Sequence, residues 1–276
     1  MRANRTGSFL WATAFAFCLG QAAAEDKSYE FGVFPYLPVT KIHDLYGPMA
    51  TDLEAKLGRP VQLSSRARYD TFGDELRKQV YDIAFIQPFD YVDAHDRYGY
   101  LPLARRPGQL VALIVVRDDS PLKSLRDLGG KTVANPPVDA AVSHLTSMAL
   151  WGAGIHPDTG VRRDYGKNHL TCVQSVMIGA ADACGVAEAA LRRMEKQTAT
   201  TTRLRILHRT VGIPHPLFVV HKRVPIKDRD ALLKTIVEWS KTEEGKAILT
   251  RGQFVPFVPA NDADYEVVRR YLRGTK

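Results

Sequence analysis

Asp82-Ile83-Ala84-Phe85-Ile86-Gln87-Pro88-Phe89-Asp90-Tyr91 is the stretch that decides the fold. Ile83 to Ile86 is a continuous apolar run, the pattern of a short parallel strand covered on both faces. The strand is expected over Asp82 to Ile86. Gln87-Pro88 then ends it and starts a helix, because a proline at the first helical position gives up no needed N–H. Ligands of open α/β sheets collect beyond the carboxyl ends of such strands, so Gln87 is placed to touch one. The rest of the chain is read as the other walls of that site.

Going back from this strand, Tyr29 to Phe34 alternates as a first strand ended by Pro35. Ile42, Leu45, Met49, Leu53 and Leu57 recur at helical spacing up to the stop at Gly58. Val61-Gln62-Leu63 opens a second strand, and Asp70 is the expected cap of a second helix opened by Tyr69. Going forward, a helix is expected over Pro88 to His95. Leu110 to Val116 is a long β-branched run, expected as a central strand and a crossing between lobes. After Gly129-Gly130, Lys131 to Ala134 restarts the alternation, with Asp139 as the cap of a helix reaching Trp151. Val161 to Tyr165 and Ala183 to Ala187 read as further strands, with a helix from Leu170 to Ile178 between them. Leu217 to Val220 crosses back, and three helices follow from about Asp228 to Leu272. Two rounds of βαβα predict an α/β protein of two lobes, with mixed, mainly parallel sheets and a cleft between the lobes. The expected boundaries are 25–110 plus 213–276 for one lobe and 111–212 for the other.

The chain of 276 residues is 25% charged and 45% hydrophobic, enough for two lobes of roughly 100 to 130 residues each. Residues 1–24 have the form of a cleavable secretory signal. Arg2 and Arg5 supply the positive start, Phe9 to Leu19 the apolar stretch, and Ala22-Ala23-Ala24 the cleavage site. A lipoprotein signal at Cys18 is disfavoured by the bulky Phe17 before it. The mature protein is therefore expected in the periplasm. Its net charge of +8 falls to +6 once Arg2 and Arg5 leave with the signal. The basic residues, such as Arg66, Arg68, Arg105, Arg106, Arg162, Arg163, Arg192 and Arg193, are scattered. An exported chain with scattered bases is a poor nucleic-acid binder; a mildly basic surface or the steering of an anion remain. Cys172 and Cys184 are left after the signal, an even count that favours one disulfide in an oxidising compartment. Two buried thiols, or a soft-metal or arsenite site with His169, are the competing readings.

No catalytic constellation stands out. There is no G-x-S-x-G, H-E-x-x-H, Walker loop or C-x-x-C, and no histidine spacing suited to a metal. Neither a cofactor nor an enzymatic reaction is expected. What remains is a set of residues at strand ends and helix starts that face a cleft: Tyr36, Tyr69, Gln87, Asp139, Ala140, Ala141, Asn168, His169 and Glu188. Tyr36 and Tyr69 would wall it, Gln87 and Asn168 would hydrogen-bond, and His169 would donate to an anion. The free N–H groups at Ala140 and Ala141 would add donors. Each has a plainer reading: half-buried aromatics for the tyrosines, a helix cap for Asp139, a helix-start residue for His169, a surface acid for Glu188.

Taken together, the chain resembles the phosphate/phosphite/phosphonate-binding proteins of ABC importers, a family with the type II periplasmic binding protein fold. Tyr46-Gly47-Pro48-Met49-Ala50, Leu57-Gly58-Arg59-Pro60-Val61, Tyr69-Asp70 and Tyr81 to Tyr91 carry the resemblance. So do Arg117-Asp118-Asp119-Ser120-Pro121, Asp127-Leu128-Gly129-Gly130-Lys131, Asn168-His169, Gly179-Ala180-Ala181-Asp182-Ala183 and Ile213-Pro214. The resemblance implies two lobes closing on a small oxyanion, as a monomer that presents it to an ABC permease. It carries Tyr69, the strand end at Gln87 and His169 into the cleft. The family's Ser-Thr-Ser grip on the oxyanion is missing. Pro137-Val138-Asp139-Ala140-Ala141 stands there instead, with no hydroxyl and an added carboxylate. That disfavours a doubly charged phosphonate and keeps less charged and zwitterionic ligands open. A sensory module serving a membrane kinase or other receptor is the second reading, and the cysteine-based soft-metal binder the third.

Overall fold

The computed structural model describes residues 28–197 and 203–274. The signal segment of residues 1–24 lies outside them. In chain order the elements are β1 (Tyr29–Val33), α1 (Val39–Leu57), β2 (Val61–Ser65), α2 (Tyr69–Arg77), β3 (Ile83–Ile86), α3 (Pro88–Tyr98), β4 (Tyr100–Arg105), β5 (Gln109–Leu110) and β6 (Ala112–Arg117). Then come β7 (Thr132–Asn135), α4 (Ala141–Gly152), β8 (Arg162–Tyr165), α5 (His169–Met177), β9 (Ala183–Ala187), α6 (Glu188–Gln197) and β10 (Leu204–Arg209). The chain finishes with β11 (Ile213–Pro214), β12 (Leu217–His221), α7 (Ile226–Glu238), α8 (Glu243–Gly252), β13 (Val258–Pro259) and α9 (Glu266–Gly274).

The first lobe is built on a six-stranded sheet of order β13-β4-β12-β3-β1-β2. β1 pairs in parallel with β2 and β3, while β12 runs antiparallel between β3 and β4. All four residues of β3 are buried, as expected of a strand with both faces covered. Phe85 lies 4.9 Å from Phe218, 5.5 Å from Tyr46 and 5.8 Å from Phe34, ring centre to ring centre. The core therefore grows out of the central strand. Asp82 stands just before β3, not in it: its carboxylate accepts the Glu30 N–H at 2.9 Å and Arg223 Nε at 2.7 Å. Gly32 of β1 is required by contact, since a Cβ there would come within 2.6 Å of the Tyr81 ring.

The second lobe is built on a five-stranded sheet of order β10-β6-β9-β7-β8, also mixed. β7 runs parallel to β8 and β9, and β6 antiparallel to β9 and β10. The run from Leu110 to Val116 is split at Val111, so that β5 belongs to neither large sheet. It pairs with β11 through Leu110↔Ile213 and Gln109↔Pro214, a two-stranded ladder where the two crossings run side by side. Gly212 lets them approach: a Cβ there would sit 2.2 Å from Oε1 of Gln109. α4 packs both ways, with Ala141, Val142 and Leu145 joining the core of the first lobe.

Several local expectations are corrected. α3 runs on from His95 to Tyr98 and ends at the left-handed Gly99. α2 begins at Tyr69 with Arg68 as its cap residue, so Asp70 lies inside the first turn, where its carboxylate takes the Thr71 N–H. α4 begins at Ala141, capped by no side chain, so Asp139 is not its cap. α6 and β13 were not expected from the sequence. Cys172 of α5 and Cys184 of β9 form a disulfide with a Cα–Cα distance of 5.7 Å. Bonded sulfurs are no soft-metal ligands, and among the described residues no group of three or more His, Cys, Asp or Glu could hold a metal ion. No described helix is long and apolar enough to cross a membrane.

The disulfide closes a short loop and so restricts the unfolded chain. Replacing both cysteines by serine should lower the unfolding free energy by about 3 kcal/mol. Urea melts of oxidised wild type and the double variant check this; coincident melts would mean that the bridge adds nothing.

Candidate functional site

The carboxyl ends of β1 and β3 and the start of α4 meet at Gln87. The side chain of Gln87 is 3% exposed. Its Nε2 donates to the Asp139 carbonyl at 2.9 Å, and its Oε1 accepts the Ala141 N–H at 2.9 Å. One amide of the first lobe thus engages both a donor and an acceptor at the α4 start, in a helix with no side-chain cap of its own. The Ala140 N–H is held by the Pro137 carbonyl at 2.9 Å. Both backbone donors expected to face a ligand are therefore engaged within the protein in this structure.

Beside Gln87 the wall is aromatic. Phe34 lies 4.9 Å from Tyr36 and 6.2 Å from Tyr69, ring centre to ring centre. The Tyr36 hydroxyl is 3.0 Å from the hydroxyl of the buried Tyr46. Burial, then the charges of Asp90 and Asp139 and the Tyr36 hydroxyl, push the Tyr69 phenol well above its ordinary value. Those four groups thus lie within electrostatic reach of one another. Across the cleft, Phe89 of α3 lies tilted against His144 of α4, with ring centres 4.5 Å apart.

Asp90 was not singled out from the sequence. It stands in the first turn of α3, 3.3 Å from Nε2 of Gln87. Burial pushes its carboxyl up to about 6; Asp139 adds to the rise, and the Gln87 hydrogen bond opposes it. The signal for it was present in the stretch quoted first, as a carboxylate three residues beyond a strand-ending Gln. What hides it is that sequence does not report its burial or the approach of the Asp139 charge.

In the second lobe, Asn168 is the cap of α5: its side chain accepts the Thr171 N–H at 3.0 Å and is exposed. His169, the first residue of that helix, has its Nδ1 3.5 Å from the Ala187 N–H at the end of β9. Burial pushes its ring down to about 4, so it is neutral at pH 7. With Nδ1 turned to a donor, the proton sits on Nε2, which is left to donate elsewhere. Glu188 is bound to arginines: its carboxylate takes Arg209 at 2.7 Å and Arg192 at 2.5 Å. Arg209, then Arg192, hold its carboxyl down at about 2. The structure therefore gathers Tyr36, Tyr69, Gln87 and Asp139 around one region, with Ala140 and Ala141 at its helical edge. His169 stands at the carboxyl end of β9, while Asn168 and Glu188 are engaged in local structure.

A polar, aromatic cleft between two mixed α/β sheets joined by paired crossings defines a two-lobed binding protein. A family model described as ABC transporter, phosphonate, periplasmic substrate-binding protein matches residues 31–265, and the chain belongs to that family. It is a family of substrate-binding proteins of ABC transporters, not of enzymes. The chain is 22% identical to the phosphonates-binding periplasmic protein of Escherichia coli K12 over 261 residues, covering 90% of this chain and 77% of that one. Among solved structures it is similar to PhnD1 of Prochlorococcus marinus in complex with methylphosphonate. The TM-score is 0.78 at 17% identity, over 91% of this chain and 98% of that one. A binding protein component of an ABC phosphonate transporter from Pseudomonas aeruginosa gives a TM-score of 0.74 at 17% identity, over 89% of this chain and 85% of that one.

An acid held above its ordinary value of 3.8 costs the folded state stability once it ionises, a cost absent below about pH 4. Asp90→Asn should therefore raise the melting temperature at pH 7. The gain should shrink as pH falls through about 6 and vanish below about 4. Melting curves of both proteins from pH 4 to 8 test this; an equal gain at both ends would assign the effect to packing.

Proposed function

We propose that this chain is an exported binding protein that captures a small oxyanion, a phosphonate, phosphite or phosphate, and presents it to an ABC permease. The observation that carries this reading is the meeting of Gln87 with the start of α4 at the carboxyl ends of the strands, in a chain of this family. Residues 25–110 plus 213–276 and residues 111–212 act as the two lobes, and β5 and β11 as the hinge between them. Closure brings the walls together by rotation at that ladder. The protein works as a single copy, released to the periplasm after residues 1–24 are removed.

In this reading Tyr36 and Tyr69 wall the ligand, Gln87 hydrogen-bonds to it, and the neutral His169 donates from Nε2. Asp139, Ala140 and Ala141 line the α4 edge. Ligand entry there competes with the Gln87 bridge for the Ala141 N–H. Asn168 and Glu188 act by fixing the start of α5 and the end of β9. The two carboxylates near Tyr69 favour an oxyanion of low net charge over a dianion.

A thermal-shift panel of methylphosphonate, phosphite, phosphate, sulfonates and small carboxylates tests the reading. A ligand at 100 times its dissociation constant should add about 2.7 kcal/mol to folded-state stability. Gln87→Ala and His169→Ala should each weaken binding at least tenfold while leaving the free protein folded. A shift from none of these anions would overturn the function, and unchanged affinity in both variants would overturn the site.

A further inference from the structure

The strand register places a further residue on the cleft rim. Ile86 of β3 is opposite Leu217 of β12, and Leu217 is opposite Arg105 of β4. β12 runs antiparallel to both neighbours, so β3 and β4 point the same way. One residue further, Gln87, Pro216 and Arg106 form the next row across the sheet, and Arg106 donates its N–H to the Pro216 carbonyl at 3.4 Å. With neighbouring strands about 4.8 Å apart, the Cα atoms of Arg106 and Gln87 are about 10 Å apart. Arg106 therefore stands on the same rim as Gln87, at the end nearer the β5–β11 ladder.

Its side chain is unlike the arginines near it. Arg105 pairs with Asp264 at 3.0 Å, and Arg68 is paired with Asp70. Among the described residues no carboxylate lies within ion-pair distance of Arg106, and its Nε is shielded from water with no hydrogen-bond partner. A shielded guanidinium nitrogen without a partner is costly, and an oxyanion is the group that best relieves it. The neighbours suit an anion. The Arg106 charge reaches the buried Tyr46 hydroxyl, which is 3.0 Å from that of Tyr36. It also reaches His215, kept neutral at pH 7 by burial and by Arg106 and Arg105. The other end of the rim is the reverse. Asp90 and Asp139 bring negative charge there, and the Ala141 N–H is already taken by Gln87.

Resting on the reading of the cleft as an oxyanion site, we propose that Arg106 grips the oxyanion at the hinge end of the cleft, beside Tyr36 and Tyr46, in place of the start of α4. The remainder of the ligand then points toward Gln87 and Asp90. The lost hydroxyls at Asp139 to Ala141 are made up from the first lobe.

Titration calorimetry with methylphosphonate tests this on wild type, Arg106→Gln and Arg106→Lys. Arg106→Gln should lose at least tenfold in affinity, with the free protein's melting temperature unchanged or raised because a shielded, unpartnered Nε has gone. Arg106→Lys keeps the charge but not the two-pronged fork and should lose at least threefold. It carries the test if the glutamine variant fails to fold. Binding within twofold of wild type in whichever variants fold would overturn the Arg106 assignment and leave phosphonate capture standing. Failure of wild type to bind methylphosphonate, phosphite or phosphate would overturn both.

Discussion

The amide of Gln87 is the interaction on which the cleft depends. A helix start with no capping side chain is unstable in a buried place, because its first N–H groups lack partners. Here the partner comes from the other lobe. Gln87 reaches it because β3 ends where it does, and β3 ends there because Pro88 commits the chain to α3. The amide accepts from Ala141 and donates to Asp139, so it links the end of β3 to the start of α4 at two points. The ring contact of Phe89 with His144 then forms one residue beyond the proline.

The same junction orders the electrostatics. Two carboxylates lie at the Gln87 end of the rim, and at the hinge end an arginine with no carboxylate partner among the described residues. The Tyr36 and Tyr46 hydroxyls, 3.0 Å apart, can donate or accept. In the proposed reading a rim graded in this way would discriminate by orientation as well as by charge, since a ligand reversed end to end would set its anion against Asp90. The neutral His169 adds a donor without adding charge, while the Asp90 end of the rim loses its charge as pH falls through about 6.

Much of this was legible in the sequence, and the reasons for the rest are physical. The apolar run of β3, the proline after it and the alternation on either side follow from local rules, and they led directly to Gln87. The capping of α5 by Asn168 was equally local, though read first as a ligand contact. Asp139 was misread as a cap because acid residues usually satisfy helix starts from within their own segment. Here the satisfying group is 54 residues away in sequence. Asp90 was not singled out, since nothing local reports its burial or the nearby Asp139 charge. Arg106 looked like one of many scattered bases. Its place became visible only through the register of β3, β12 and β4, which brings together residues separated by more than a hundred positions. Local pattern reports elements and their ends; it does not report which ends share a rim.

The bridge between Cys172 and Cys184 ties the helix that begins with His169 to the strand that ends beside it. It therefore ties the mounting of His169 to the end of β9, through a bond that a reducing compartment would leave open. The family works in the periplasm, and oxidising compartments of that kind are where such bridges form and persist. The tie between α5 and β9 is thus as permanent as the oxidising surroundings in which the family works.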